Sequence, residues 1–556
     1  MGARHGRVLV VGAVVAMALL AGACGASEES SGGDDVTDAT SELPRVGAGE
    51  DEVNLVTDAG EPKAGGELVY GVTAESDGWN PILSRWSPAA LQVARSVFDL
   101  LVTIDADGMW QPELAESFEA NDDNTVWTIT VRDGVTFHDG TPFDAQELLD
   151  YLTLLRESPL VGVTMYFVED MAVEGDTVVV RMIQPWATFP YIFATQLGAV
   201  GEPTWVASSS PADPVGTGPF VMTEWTPGER TVVDRFDGYW QAGYPYLDRI
   251  EFQAFEDMND RLTRLDSGEL DVIQVNRGVD LARVRAGADR GDLQLACGLE
   301  SIESFMMLNT AVPPFDDPAL RQAVALVTDT VGFTEALGGG EDLPAAGPYE
   351  PGSYWYTETD YPAYDPEAAR ALVDEIAAEQ GGPVQVTILA NDGTQSATTI
   401  ELVAEQWEAV GIEVTAEQID QTLMIRNTLF GDFEAVVWQQ FDALHPINDT
   451  IWWHPRAANP PPELALNFAR NDDPELGALL DDIIDLEDRE DQRAGYAEVQ
   501  ELVNRAIPYV WLSHTKQCVA ASTTVVDLVT WSTPGGVPGM SLINGAHPLW
   551  QVWLDR

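Results

Sequence analysis

Between Thr125 and Val131 the chain alternates, with Val126, Thr128 and Thr130 set against Trp127, Ile129 and Val131. A period of two residues predicts a half-buried strand. Asp133-Gly134 and then Val135-Thr136-Phe137 extend that strand into a predicted hairpin. Gly65–Val72 and Thr177–Met182 predict further strands. Downstream the spacing lengthens to three and four. Leu320, Ala323, Val324 and Val327 follow Asp317-Pro318; Ala369, Leu372, Val373 and Ile376 follow Asp365-Pro366; Leu476, Leu479, Leu480, Ile483 and Ile484 follow Asp473-Pro474. Each run predicts a helix that buries one face. In each, the aspartate can accept from unpaired first-turn N–H groups, and the proline presets φ at the first helical position. Val384–Leu389 predicts a strand, Ala404–Val410 a helix stopped by a left-handed Gly411, and Ile412-Glu413-Val414 a strand. That strand–helix–strand order predicts an α/β lobe.

The N-terminus has a different pattern. Arg4 and Arg7 precede an apolar run from Val8 to Leu20, and Ala21, Gly22 and Ala23 then lead to Cys24. A positive head, an apolar stretch and small residues at a cut site predict a secretory signal over residues 1–23. The run is shorter than the roughly 20 residues of a membrane span, and no later segment is long and apolar enough for one. Cys24 resembles the lipid-bearing first residue of bacterial lipoproteins, although Ala21 stands where a large aliphatic residue is usual. The alternative is a soluble secreted chain with a free N-terminus. Ser27–Gly60, rich in Ser, Asp, Glu and Gly, has too little apolar content to fold, so residues 24–63 are expected to form a solvated tether.

Composition narrows the function. The 556 residues are 45% hydrophobic, enough for a large core and for several domains. Against 28 Lys and Arg stand 91 Asp and Glu, a net charge of −63 that repels phosphate backbones and excludes nucleic acid as a partner. Only Lys63 and Lys516 are lysines. Apart from Cys24, the thiols are Cys297 and Cys518, which form one disulfide in an exported protein or else remain two buried free thiols. Catalytic signatures are missing. There is no HExxH and no GxSxG, and Gly216-Thr217-Gly218 runs into Pro219 rather than a phosphate-binding helix. His445 and His454, nine residues apart, could share a metal, but scattered surface histidines are the commoner case. No catalytic residue, metal or cofactor is assigned.

Five segments carry a resemblance. Leu100-Leu101-Val102, Asp107-Gly108 and Gln111–Ser117 resemble an "LL…DG…P.LAES" stretch. Trp127–Pro142, continuing to Asp144-Ala145, resembles "LR.GV.FHDG.P..A.D". Pro214–Phe220 is similar to "PVGTGPY". Leu308-Asn309, Pro314-Phe315 and Arg321-Gln322-Ala323 up to Asp329 resemble "N…PF.D..VRQA….D". Arg493, Tyr496, Gln500 and Ile507-Pro508-Tyr509 complete the series. In this order they resemble the extracytoplasmic solute-binding proteins of ABC importers, the peptide/nickel-type family 5, here of the actinobacterial lipoprotein type.

The resemblance implies an α/β, two-lobed periplasmic-binding-protein-like fold of type II, with a hinge of two crossings near residues 290–305 and 515–530. The N-terminal lobe would span 64–298 with 520–556 returning to it, and the second lobe 299–519. Cys297 and Cys518 would then lie where neighbouring strands cross, which supports a bridge. The Phe137–Gly140 turn and the Gly216–Gly218 loop are expected to be fold elements rather than parts of a pocket. The implied role is a monomeric receptor, lipid-anchored on the extracytoplasmic face of the bacterial cell membrane. It captures a small molecule, expected to be an oligopeptide, and delivers it to ABC permease subunits with their ATPases. Oligosaccharides or a nickel chelate are alternative ligands, and a secreted hydrolase is a distant alternative. In peptide-binding members, an Asp with a Pro four residues later pairs with the peptide α-ammonium. Asp442 and Pro446 keep that spacing, while Trp438 lies one residue further from Asp442 than the usual W-x-x-D. The expected ligand-binding residues are therefore Asp442, Trp438, Gln439, Gln440 and Phe441, joined by Trp79 and Trp86.

Overall fold

Strands from distant parts of the chain meet side by side in one mixed sheet. The computed structural model describes residues 52–556 except 85, 256, 276–277, 339–340 and 441–443. The expected signal, the Cys24 lipid site, Phe441 and Asp442 lie outside the described residues. Along its main path the sheet runs Glu413–Ile419, Gln385–Asn391, Ala435–Gln440, Leu293–Leu308, Tyr509–Ser522, Val272–Val275, Glu67–Val72, Arg249–Ala254, Arg230–Arg235 and Phe220–Thr226. Parallel pairs occur on both sides of the centre, and the two long central strands are antiparallel to each other. A separate four-stranded antiparallel sheet, Ala115–Ala120, Val126–Val131, Thr177–Met182 and Val168–Glu174, completes the first lobe.

Leu293–Leu308 and Tyr509–Ser522 belong to both halves. Toward one end they register Leu293 with Ser522 and Cys297 with Cys518; toward the other they register Met307 with Tyr509. Cys297 and Cys518 are joined as a disulfide across this pair. Apolar clusters lie on either side of the crossing. One gathers Leu68, Tyr70, Val97, Ile250 and Val519 in the first lobe. Another gathers Met306, Leu308, Val324, Ile388, Trp407 and Val510 in the second.

The three Asp-Pro helices form at Pro318–Val327, Pro366–Gln380 and Pro474–Ile483. Their caps act as the sequence implies: Asp317 accepts from Ala319 N at 2.8 Å, Asp365 from Ala368 N at 3.0 Å and Asp473 from Glu475 N at 2.9 Å. Gly411 adopts φ +104° just after the helix Thr394–Ala409. The hairpin expected at Asp133-Gly134 does not form. Val126–Val131 pairs with Ala115–Ala120 and Thr177–Met182, and 133–143 curls on itself, with Phe137 N donating to Thr141 O. His138 binds both Gly216 and Gly218, its Nε2 lying 3.0 Å from Gly218 O. A Cβ at Gly216 would meet Val97 O at 2.1 Å, so this loop is a close backbone contact within the lobe.

The expected tether ends earlier than residue 63. Glu52–Val53 pairs with Ala296 and Leu295, Val56 N donates to Gln294 Oε1, and Leu55 packs on the first-lobe core. Composition hid this because two or three apolar residues suffice once an open strand edge is available to receive them.

The disulfide closes a loop with a sequence separation of 221. Removing a bridge of this kind costs about 2–5 kcal/mol. Replacing both cysteines by serine should lower the calorimetric unfolding midpoint by several degrees, and reductant should lower the midpoint of the unaltered chain to match.

Candidate functional site

The stretch 444–457 builds one wall of a cleft. It carries two His-Pro pairs that act in the same way. His445 precedes the short 3-10 turn Pro446–Asn448, and His454 precedes the turn Pro455–Ala457. In each, the imidazole Nδ1 accepts the N–H two residues on, from Ile447 at 3.2 Å and from Arg456 at 3.1 Å. An accepting Nδ1 fixes a neutral ring with the proton on Nε2. His445 Nε2 then donates to Gln492 Oε1 at 3.2 Å, and His454 Nε2 to Asp481 Oδ1 at 3.0 Å. Burial lowers both pKa values, that of His445 to about 3. With both nitrogens of each ring engaged, the pair is not arranged to share a metal. Among the described residues, no group of three or more His, Cys, Asp or Glu is placed to hold one.

A cavity of about 370 Å³ lies between the lobes. The first lobe contributes Trp86, Tyr166, Phe167 and Trp186; the second contributes Gln440, Asp449, Trp452 and Arg456. Trp86 is held by Nε1 donating to Gly78 O at 3.1 Å and by its stacked contact with Phe98. Gln440 accepts from Trp438 Nε1 at 2.9 Å. Arg456 spans the gap: it pairs with Asp481 of its own lobe and lies 4.0 Å from the ring centre of Tyr166. A guanidinium over an aromatic face is an attractive contact.

A seam beside the cavity joins the lobes directly. Arg489 Nη1 donates to Asp107 O at 2.6 Å, Asn124 Nδ2 to Glu487 Oε1 at 2.8 Å, and Ala187 N to Ile484 O at 2.8 Å. Ile447 and Ile484 of the second lobe enter an apolar cluster of the first. Tyr191 stacks on His445 with ring centres 4.1 Å apart. Gly108 makes room for this seam, since a Cβ there would meet Arg489 Nη2 at 2.7 Å. The cleft is thus closed in this structure.

Of the residues expected from the sequence, Trp86 and Gln440 line the cavity. Trp438 and Gln439 sit beside it on Ala435–Gln440; Trp438 packs against Phe468, and Gln439 donates to Ser304. Trp79 does not line it. It is 2% exposed and packs edge-on against Trp225 in the first-lobe interior. It is the first large aromatic after the strand Glu67–Val72, and the core takes it. Sequence reasoning missed Tyr166, Phe167, Trp186, Asp449, Trp452 and Arg456. The last three follow Pro446 closely and could have been found by reading on from it. Nothing local marks 166 or 167.

The seam makes stability depend on pH. His445 titrates near 6.5 when unfolded and about 3 when folded, so it supports folding fully above about pH 6.5. That support is lost as pH falls toward 3. Tyr191, Trp355, Tyr496, Gln492 and Arg489 surround the ring, and none of them can neutralise an imidazolium. His445→Gln should flatten the acid-side fall of the thermal midpoint between about pH 7.5 and pH 4.5. An unchanged slope would assign the fall to other groups, such as His138.

Comparison with known proteins agrees with this architecture. The Glutathione-binding protein GsiB of Salmonella paratyphi A is 25% identical over 462 residues, covering 80% of this chain and 87% of that one. The periplasmic binding protein DppA of Helicobacter pylori, solved with the peptide STSA, superposes with a TM-score of 0.77 at 20% identity, covering 89% of this chain and 99% of that one. The oligopeptide-binding protein AppA of Bacillus subtilis, solved with a nonapeptide, gives 0.76 at 21%, covering 89% and 100%. These two establish the two-lobed α/β fold. Residues 110–460 match the family described as bacterial extracellular solute-binding proteins, family 5 Middle, and the chain belongs to that family.

Proposed function

We propose that this protein is the receptor of an ABC importer, capturing short peptides between its lobes and handing them to a membrane permease powered by ATPase subunits. The carrying observation is the cavity lined by residues from both lobes, which are connected through two shared strands. Such crossings permit hinge closure. A ligand that touches both walls favours the closed form by its difference in affinity for the two forms. The lobes divide at about 64–298 with 520–556, and 299–519. Three relatives support a peptide ligand: one is named for the tripeptide glutathione, and two were solved with peptides. Tryptophans at 86, 186 and 452 could stack on sugar rings, but a sugar also needs many hydrogen-bonding partners, and this cavity offers few. For a nickel chelate, His454 is the imidazole at hand, and both its nitrogens are engaged.

The protein performs no chemistry on its ligand. It works as a monomer at the outer face of the membrane, attached through lipid on Cys24. Among the described residues, no helix is long and apolar enough to cross a membrane. Asp442 pairs with the peptide α-ammonium, a charge-assisted bond strengthened by closure.

A cognate peptide at a hundredfold excess over its Kd should stabilise the fold by about 2.7 kcal/mol and reduce the radius of gyration in solution scattering. If no peptide does either, or if a peptide emerges cleaved, the receptor reading fails. Asp442→Asn should weaken free-amine peptides about tenfold or more and N-acetylated ones little, as read by titration calorimetry. Equal losses would remove Asp442 from the anchor role.

A further inference from the structure

At the seam beside the cavity, acid of one lobe meets acid of the other. Burial, and then the negative charges of Glu487 and Asp123, push the Asp485 carboxyl above its ordinary value, so carboxylates of both lobes lie near one another there. Arg489 is a cation set into the same seam. It is the first residue of the helix Arg489–Ala506, capped by Asp488, at the positive end of the helix dipole where acidic residues are favoured. Glu490 and Asp491 follow that preference, and Arg489 goes against it. Its contacts supply the reason. The guanidinium lies 4.0 Å from the ring centre of Tyr354. That ring is held in place: its hydroxyl donates to Glu490 Oε1 at 2.9 Å, and Arg493 Nε donates to Tyr354 O at 2.7 Å. Across the gap, Arg489 Nη1 donates to Asp107 O at 2.6 Å. The loop that offers this carbonyl is fixed as well. Asp105 Oδ1 accepts from Asp107 N at 3.0 Å and Met109 N at 2.9 Å, its Oδ2 accepts from Gln111 Nε2, and Ala106 N donates to Pro538 O.

We propose that Arg489 is a latch that holds the lobes closed before any ligand arrives, seated on Tyr354 in the second lobe and engaged with the loop 105–109 of the first. The contact stays outside the cavity, since Arg489 is not among its lining residues. Both partners are ordered by their own lobes, so little side-chain freedom is left to lose when they meet. A guanidinium donating to a carbonyl makes a charge-assisted bond, stronger than a neutral one. Its positive charge also offsets the repulsion between the carboxylates that closure brings together. Its flat shape lets one face rest on Tyr354 while an edge bonds to Asp107, which a lysine ammonium does not offer. The consequence for capture rests on the receptor reading above. The affinity of a ligand that binds the closed form scales with the fraction of protein already closed. The latch therefore tunes affinity from a place the ligand does not touch.

Hydrogen–deuterium exchange on the purified mature protein, with no ligand added, tests this. The Ala187 N–H donates across the seam to Ile484 O, so it is protected while the lobes are closed and exchanges when the seam opens. Arg489→Ala should speed exchange at Ala187 about tenfold or more and leave residues 305–308 of the central ladder unchanged. Tyr354→Ala should speed it as well. The double substitution should go little beyond Arg489→Ala, because the two side chains act as one unit. Four results would each overturn the latch and leave the receptor reading standing: free-amide exchange at Ala187 in the unaltered protein, equal exchange with and without Arg489, an equal rise at 305–308, or effects of the two substitutions that multiply. If the latch behaves as expected and no peptide binds, the receptor reading falls alone.

Discussion

The pairing of Leu293–Leu308 with Tyr509–Ser522 is what the remaining architecture is built around. Each strand is long enough to serve two lobes, so neither lobe has a complete sheet without the other. Backbone hydrogen bonds inside such a ladder cannot be given up one lobe at a time, because buried N–H and C=O groups need their partners. The lobes are therefore held together along this line, and one end of it is also fixed covalently by Cys297 and Cys518. Opposite this line, the seam through Asp107, Asn124 and Ala187 holds the lobes by a handful of bonds and two inserted isoleucines. The lobes are thus joined by a continuous ladder on one side and by a few discrete contacts on the other.

Much of the frame was legible because local chemistry determined it. Each Asp-Pro start became a capped helix, since a carboxylate beside unpaired amide donors and a preset φ leave few alternatives. Strand periodicity located Val126–Val131 and Thr177–Met182, but could not tell that the first pairs with the second rather than with 135–137. Pairing partners are chosen by tertiary contact, which alternation does not encode. The same limit explains the tether. Val53 and Leu55 look unremarkable until the strand Leu293–Leu308 presents an edge beside them.

The site divides in a similar way. Trp86 and Gln440 could be expected because the chain around them resembles a known pattern, and both reach the cavity. Trp79 and Trp86 have equal standing in the sequence; only packing decides that one meets Trp225 in the interior while the other faces the cleft. Tyr166 and Phe167 belong to a connection whose role depends on Arg456 arriving from the opposite lobe. The two His-Pro pairs show chemistry that looks available in sequence but is taken up locally. Imidazoles of the kind that bind metal instead close short turns, and burial favours their neutral form.

The place where the described chain joins the sheet has a mechanical meaning. Glu52 and Val53 lie beside Ala296 and Leu295, one residue short of the Cys297–Cys518 crosslink. Any load transmitted from upstream of Glu52 enters the protein at its covalently reinforced spine rather than at a swinging part.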